Sequence, residues 1–170
     1  FMLVNVGDIK VTTVAYPEGT GATFTPTFAN IGISYATVFE NKVSVGAAVR
    51  LVMESFGGIS ARGVAIDAGV QYVNGPKDNF KLGLSLRNLG TPMKFRGEGF
   101  TNLAYDQRSA NFELPVALNI GTSYDFYVGD DIRVSPMVNF TSNSFSRDQL
   151  GFGVELGILD NMLQVRGAYK

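Results

Sequence analysis

Apolar and polar side chains alternate with a period of two along most of this chain, the pattern of β-strands that present one apolar face. The run 43–56 is the clearest case. Val43, Val45, Ala47, Val49, Leu51 and Met53 fall on one face, and Ser44, Gly46, Ala48, Arg50 and Glu54 on the other. Before it, Ala29, Ile31, Ile33, Tyr35 and Phe39 oppose Asn30, Gly32, Ser34 and Ala36. After it, Val64, Ile66, Ala68, Val70 and Tyr72 oppose Gly63, Ala65, Asp67, Gly69 and Gln71, and Phe80, Leu82, Leu84 and Leu86 oppose Lys81, Gly83, Ser85 and Arg87. The alternation resumes over 112–126 and continues over 132–140, 150–158 and 163–169. With a strand implied by Phe1 to Val6, the pattern predicts an all-β, antiparallel architecture of about nine strands.

Two kinds of connection alternate between these runs. Short polar turns are predicted at 40–42, 74–78, 128–131 and 160–161, where Asn, Asp and Gly tolerate tight backbone geometry. Longer loops are predicted near 7–26, 57–62, 90–111 and 141–148. In outer-membrane barrels the short turns are periplasmic and the long loops extracellular, so this alternation assigns an orientation.

Composition decides what the apolar face meets. Charged residues make up only 17% of the 170 residues, against roughly 25% in an ordinary soluble domain. The apolar faces of the predicted strands carry no charge, as lipid contact requires, because an Arg or Lys at mid-depth in a bilayer costs about 2–4 kcal/mol. A soluble antiparallel barrel or sandwich would alternate in the same way with its apolar face inward. The second face here is rich in Gly, Ala and Ser, where a solvated face would carry many Lys and Glu, and this favours a transmembrane β-barrel. No run approaches the roughly 18 apolar residues of a membrane helix. The chain opens and closes within strand patterns, and an odd strand count does not suit a closed bacterial barrel. Residues 1–170 are therefore read as a partial barrel domain, an internal segment whose N- and C-terminal strands lie elsewhere.

Several chemistries find no support. A net charge of −1 gathers no nucleic acid. With no His and no Cys, neither a Ser-His-Asp nor a Cys-His arrangement can be built, and zinc sites lose their usual ligands. Asp130-Asp131 after Gly129 reads as a solvated turn rather than a calcium site. Gly19-Thr20-Gly21 lacks the third glycine and the helix of a dinucleotide loop. No catalytic residue, cofactor or metal site is assigned, and the chain is read as a non-enzyme.

Several phrases resemble the PorV/PorQ family of Bacteroidetes outer-membrane proteins, which belong with the FadL-like barrels. They are Val11-Thr12-Thr13, Pro17-Glu18-Gly19-Thr20-Gly21-Ala22-Thr23-Phe24, Gly32-Ile33-Ser34-Tyr35-Ala36, the run 61–72, Leu86-Arg87-Asn88-Leu89-Gly90-Thr91-Pro92-Met93 and the run 140–149. The resemblance implies a barrel of about fourteen strands in the bacterial outer membrane. It implies a part in type IX protein secretion, through binding of cargo C-terminal signal domains at the translocon barrel or anchoring of the surface attachment complex. The alternative is a FadL-like transporter of hydrophobic small molecules. A purely structural role as partner subunit of another large barrel is also compatible.

On the secretion reading, partner contacts come from the extracellular loops. Met93, Phe95, Arg96, Phe100, Leu103 and Tyr105 combine apolar residues with a charged frame, as an interface core with a polar rim does. Tyr16 and Phe24 form a second candidate. The alternative is that these aromatics fold the loops over the barrel mouth or touch lipid. Arg50, Glu54, Asp67, Lys81, Arg87, Glu113, Asp125, Arg133, Glu155 and Arg166 project to the inferred lumen. They either line a selective pore or pair with one another across it.

Overall fold

The computed structural model describes residues 1–97, 111–129, 131–159 and 161–170. Among these it contains strands and turns and no helix. In chain order the strands are β1 (Met2–Asn5), β2 (Ile9–Lys10), β3 (Thr23–Phe24), β4 (Thr27–Phe39), β5 (Val43–Phe56), β6 (Ile59–Asn74), β7 (Phe80–Gly90), β8 (Arg96–Gly97), β9 (Ala117–Tyr124), β10 (Phe126–Val128), β11 (Ile132–Asn143), β12 (Ser146–Ile158) and β13 (Leu163–Tyr169). Eleven of them form one sheet in the order β1-β4-β5-β6-β7-β9-β11-β12-β13, with β10 on β11 and β8 on β6. The nine strands of that path correspond to the nine alternating runs. β1 and β13 are its two edges, so the described strands do not close on themselves.

Tight turns join neighbouring strands, and their backbones explain the residues found there. Glu40 and Asn41 have φ of 49° and 55°, and Asn161 has φ of 66°, a conformation that Asn adopts more readily than most side chains. The connection after β5 corrects the sequence reading. A longer loop was expected over 57–62, but Gly57 and Gly58 alone separate β5 from β6, with φ of 55° and 81° that a two-residue hairpin of primed type demands. The same holds over 141–148, where only Ser144 and Phe145 separate β11 from β12. The expected loop over 7–26 contains a small ribbon of its own, in which Ile9 pairs with Phe24 and Lys10 with Thr23. Among the described residues, the contrast of loop lengths that oriented the sheet thus rests on 6–26; the expected loop 90–111 lies mostly outside them.

The run read as one strand over 112–126 begins later, at Ala117, because Pro115 offers no N–H and the chain before it is irregular. Glu113 therefore lies outside any strand, a correction to its place in the expected alternation. The run is also interrupted once, at Asp125. The pairs Ser123 with Met137 and Phe126 with Val134 put Tyr124 opposite Pro136, which donates no ladder hydrogen bond. The register on either side is unchanged.

The exposure of the two faces runs against the habit of a soluble sheet. Along β12, Leu150, Phe152, Val154 and Leu156 are exposed, while Gly151, Gly153 and Glu155 are half-buried and Gly157 is buried. Along β6, Val64, Ile66 and Val70 are exposed, and Ala61 and Ala65 are buried at 1% and 0%. β6 and β12 also extend further than the alternation suggested, which brings Arg62 and Asp148 onto the apolar face at strand ends.

The chain divides into two compact units. One gathers Phe1–Ile33, Val49–Ile66 and Gly90–Leu114; the other gathers Ser34–Ala48, Asp67–Leu89 and Pro115–Lys170. In the first, the segment after β7 lies on the small-residue face of β6. Thr91 donates its N–H to the Val64 carbonyl at 3.0 Å, and Met93 exchanges backbone hydrogen bonds with Phe112 at 2.7 and 2.9 Å. Phe95 is packed between Phe56 and Phe112, at ring-centroid distances of 5.0 and 5.2 Å.

Candidate functional site

The second unit carries a row of charges on the small-residue face, and strand register builds it. Ser135 of β11 stands opposite Glu155 of β12, which stands opposite Arg166 of β13. On its other side Ser135 faces Asp125, held at the break between β9 and β10. Asp125 donates its N–H to the Asn79 carbonyl at 2.9 Å, and the Asn79 side-chain amide donates to the Asp125 carbonyl at 2.7 Å. This double clasp fixes the backbone where the ladder to β11 is interrupted.

Asp125 is the centre of the row, with its side chain 4% exposed. Its Oδ1 accepts the Ser135 hydroxyl at 2.6 Å. Its Oδ2 accepts Lys81 Nζ at 2.8 Å and lies 3.5 Å from Arg133 Nη1. Arg133 spans to the next carboxylate through Nη2 and Glu155 Oε1, and its Nε donates to Asn161 Oδ1 at 2.9 Å. Glu155 Oε2 takes Arg166 Nε, and Arg166 Nη2 donates to Gln164 Oε1 at 2.7 Å. Three cations and two carboxylates thus form one chain: Lys81, Asp125, Arg133, Glu155, Arg166.

Such a chain holds charge rather than moving it. Each carboxylate is bracketed by two cations, and the geometry offers neither an activated nucleophile nor a free base within reach of one. No group of three or more metal-ligating side chains occurs among the described residues. Beside the row, in the same unit, lies a groove of about 710 Å³. Gly46, Gly69, Gly83 and Gly121 line it together with Val70, Leu82, Met137, Asn139 and Lys81, so its walls combine small residues with a largely apolar surface.

Of the residues expected to face a lumen, Lys81, Asp125, Arg133, Glu155 and Arg166 are brought together as partners. Asp67 accepts the Asn88 N–H at 2.7 Å, made possible by the φ of 60° at Asn88. Arg50 lies with its side chain over Gly32. Glu54 is half-buried on β5, Arg87 is exposed on β7 opposite Ala117, and Glu113 is exposed outside the strands. Ser135, Asn79, Asn161 and Gln164 complete the row, and sequence reading missed them as members. A signal existed for Ser135, two residues from Arg133 on the same face.

The loop candidates separate sharply. Met93, expected at a contact surface, is 0% exposed and turned onto Gly63. Phe95 is half-buried in its aromatic stack, while Arg96 is exposed on β8. Tyr16 is 64% exposed beside the fully exposed Val14, at the far end of the β2–β3 ribbon, and Phe24 is half-buried in β3. Phe100, Leu103 and Tyr105 lie outside the described residues. No protein-family model, curated protein or solved structure matches the chain, and its reading rests on the geometry above.

Proposed function

We propose that this chain is part of a transmembrane β-barrel of the bacterial outer membrane, similar to the PorV/PorQ family. It acts without catalysis in type IX secretion, binding cargo C-terminal domains or partner subunits from its loop end. The observation that carries the membrane reading is the exposure of the apolar face. On β12, Leu150, Phe152, Val154 and Leu156 all stand exposed while the alternating Gly and Glu155 positions are the shielded ones. A soluble sandwich would bury the first set and wet the second. Exposed apolar surface on this scale has a partner, and lipid suits a face whose charges stand only at strand ends.

The paired charges on the small-residue face support a lining closed on itself over an apolar conduit for hydrophobic solutes. The loop end supports docking through Val14, Tyr16 and Arg96, which remain at the surface when Met93 and Phe95 fold inward. The test is an affinity pull-down of the full-length barrel in detergent, read by mass spectrometry. Co-purification of the translocon barrel, or of proteins bearing type IX C-terminal domains, is the expected result. Recovery of the barrel alone, with lipid or fatty acid bound inside it, would replace this reading with transport.

A further inference from the structure

The exposed apolar face has measurable edges. On β12 it is bounded at one end by Asp148, an exposed side chain on that same face, and Ile158 closes the strand at the other end before the turn at Leu159. They stand ten positions apart, and every side chain of that face between them is Leu, Phe or Val. At about 3.3 Å per residue this is roughly 33 Å of strand, and a tilt of about 40° projects it to roughly 25 Å. That is the height of the outward apolar band of a bacterial barrel. On β6 the same ten-residue spacing separates Arg62 from Tyr72.

Aromatic rings gather at the turn end of the same face. Tyr72 meets Phe80 edge-on with centroids 6.2 Å apart, and Tyr124 meets Phe126 at 4.7 Å. Tyr is suited to that level because its ring prefers the apolar layer and its hydroxyl prefers water. The strands β4, β5, β7, β9, β11 and β13 carry no charged side chain on the face. A protein partner would cover one patch of the sheet. A surface whose charges stand only at strand ends, at Arg62 and Asp148, fits a continuous apolar layer instead.

We infer that the hydrocarbon layer of the bilayer meets this protein between Asp148 and Ile158 on β12, and between Arg62 and Tyr72 on β6. Tyr72, Phe80, Tyr124 and Phe126 then stand at the headgroup level of the turn end. The inference rests on the membrane reading above and adds to it a depth for each residue.

Residues 1–170 contain no Trp, so a single Trp placed among them, read as the difference from the unsubstituted full-length protein, reports its own depth. The full-length protein is refolded into phosphatidylcholine vesicles carrying bromine either near the headgroup end or near the methyl end of the acyl chain. Phe152→Trp is expected to be quenched more by the deep bromines and Ile158→Trp more by the shallow ones. Asn139→Trp, on the other face of β11, is expected to escape both. Tyr169→Trp, paired with Phe152 across β12 and β13, serves as a second mid-depth probe should Phe152→Trp not fold. Equal depth for the Phe152 and Ile158 positions, or quenching at Asn139, overturns the assignment of the band. Absence of quenching at every position removes the membrane reading itself.

Discussion

Met93 occupies the space that a side chain on Gly63 would fill: a Cβ built on Gly63 would stand 2.6 Å from Met93 Cγ and 3.1 Å from its Sδ. The missing Cβ on β6 is what lets the segment after β7 lie down on the small-residue face. This contact turns a residue read as part of a docking loop into a residue that anchors the loop.

Gly63→Ala is accordingly expected to destabilise the protein by about 1–3 kcal/mol, the usual range for overpacking a filled site. Adding Met93→Ala should recover part of that loss, because the two changes act on one contact, with a coupling of about 0.5–3 kcal/mol. Urea unfolding of the two single variants and the double variant in detergent measures it. Simple additivity would mean that the two side chains do not share the space.

The charged row is expected to be unequal along its length. Asp125→Ala removes the carboxylate at the centre of the row, leaving Arg133 with Glu155 alone and the more exposed Lys81 without its partner, a change expected to cost about 1–3 kcal/mol. Arg166 has a side chain 68% exposed, and Arg166→Ala should cost less than about 1 kcal/mol. The same unfolding measurement ranks the two, and equal losses would contradict the geometry.

At the loop end, Tyr16→Ala should weaken capture of the partner by about tenfold or more, as loss of an exposed aromatic anchor does. Phe95→Ala should act on stability instead, at about 3–5 kcal/mol for an aromatic that fills a packed site. Binding assays and unfolding midpoints on both variants separate the roles. A binding loss from Phe95→Ala with unchanged stability would restore Phe95 as a contact residue.

A charge placed on the exposed face should cost in proportion to its depth. Val154→Arg is expected to lower folding stability in vesicles by about 2–4 kcal/mol and Ile158→Arg by about 0–1 kcal/mol. The folding equilibrium of each variant in lipid, followed by the tryptic fragment that the barrel protects, reads the difference.

Period-two alternation is a local property, which is why β5 was legible residue by residue in the chain, and β6 and β12 were legible over 64–72 and 150–158 but not at their first residues. The path of nine strands followed from it, since consecutive antiparallel strands need only short turns. The even spacing of Gly, Ser and Asn opposite Leu, Val and Phe also marked which face was which. Other features depended on which strands became neighbours, and at what register. Lys81, Asp125, Arg133 and Glu155 alternate like many other polar residues; only the alignment of β7, β9, β11 and β12 makes them partners. Pro136 reads as an oddity until it is placed opposite Tyr124, where its missing N–H opens the break that Asp125 fills. Gly63 reads as one more small residue on a polar face, and Met93 as an apolar residue in a loop, until the tertiary structure brings them together. Alternation specifies the direction of each side chain relative to its own strand, whereas contacts between distant residues arise only when backbone hydrogen bonding sets the register across the sheet.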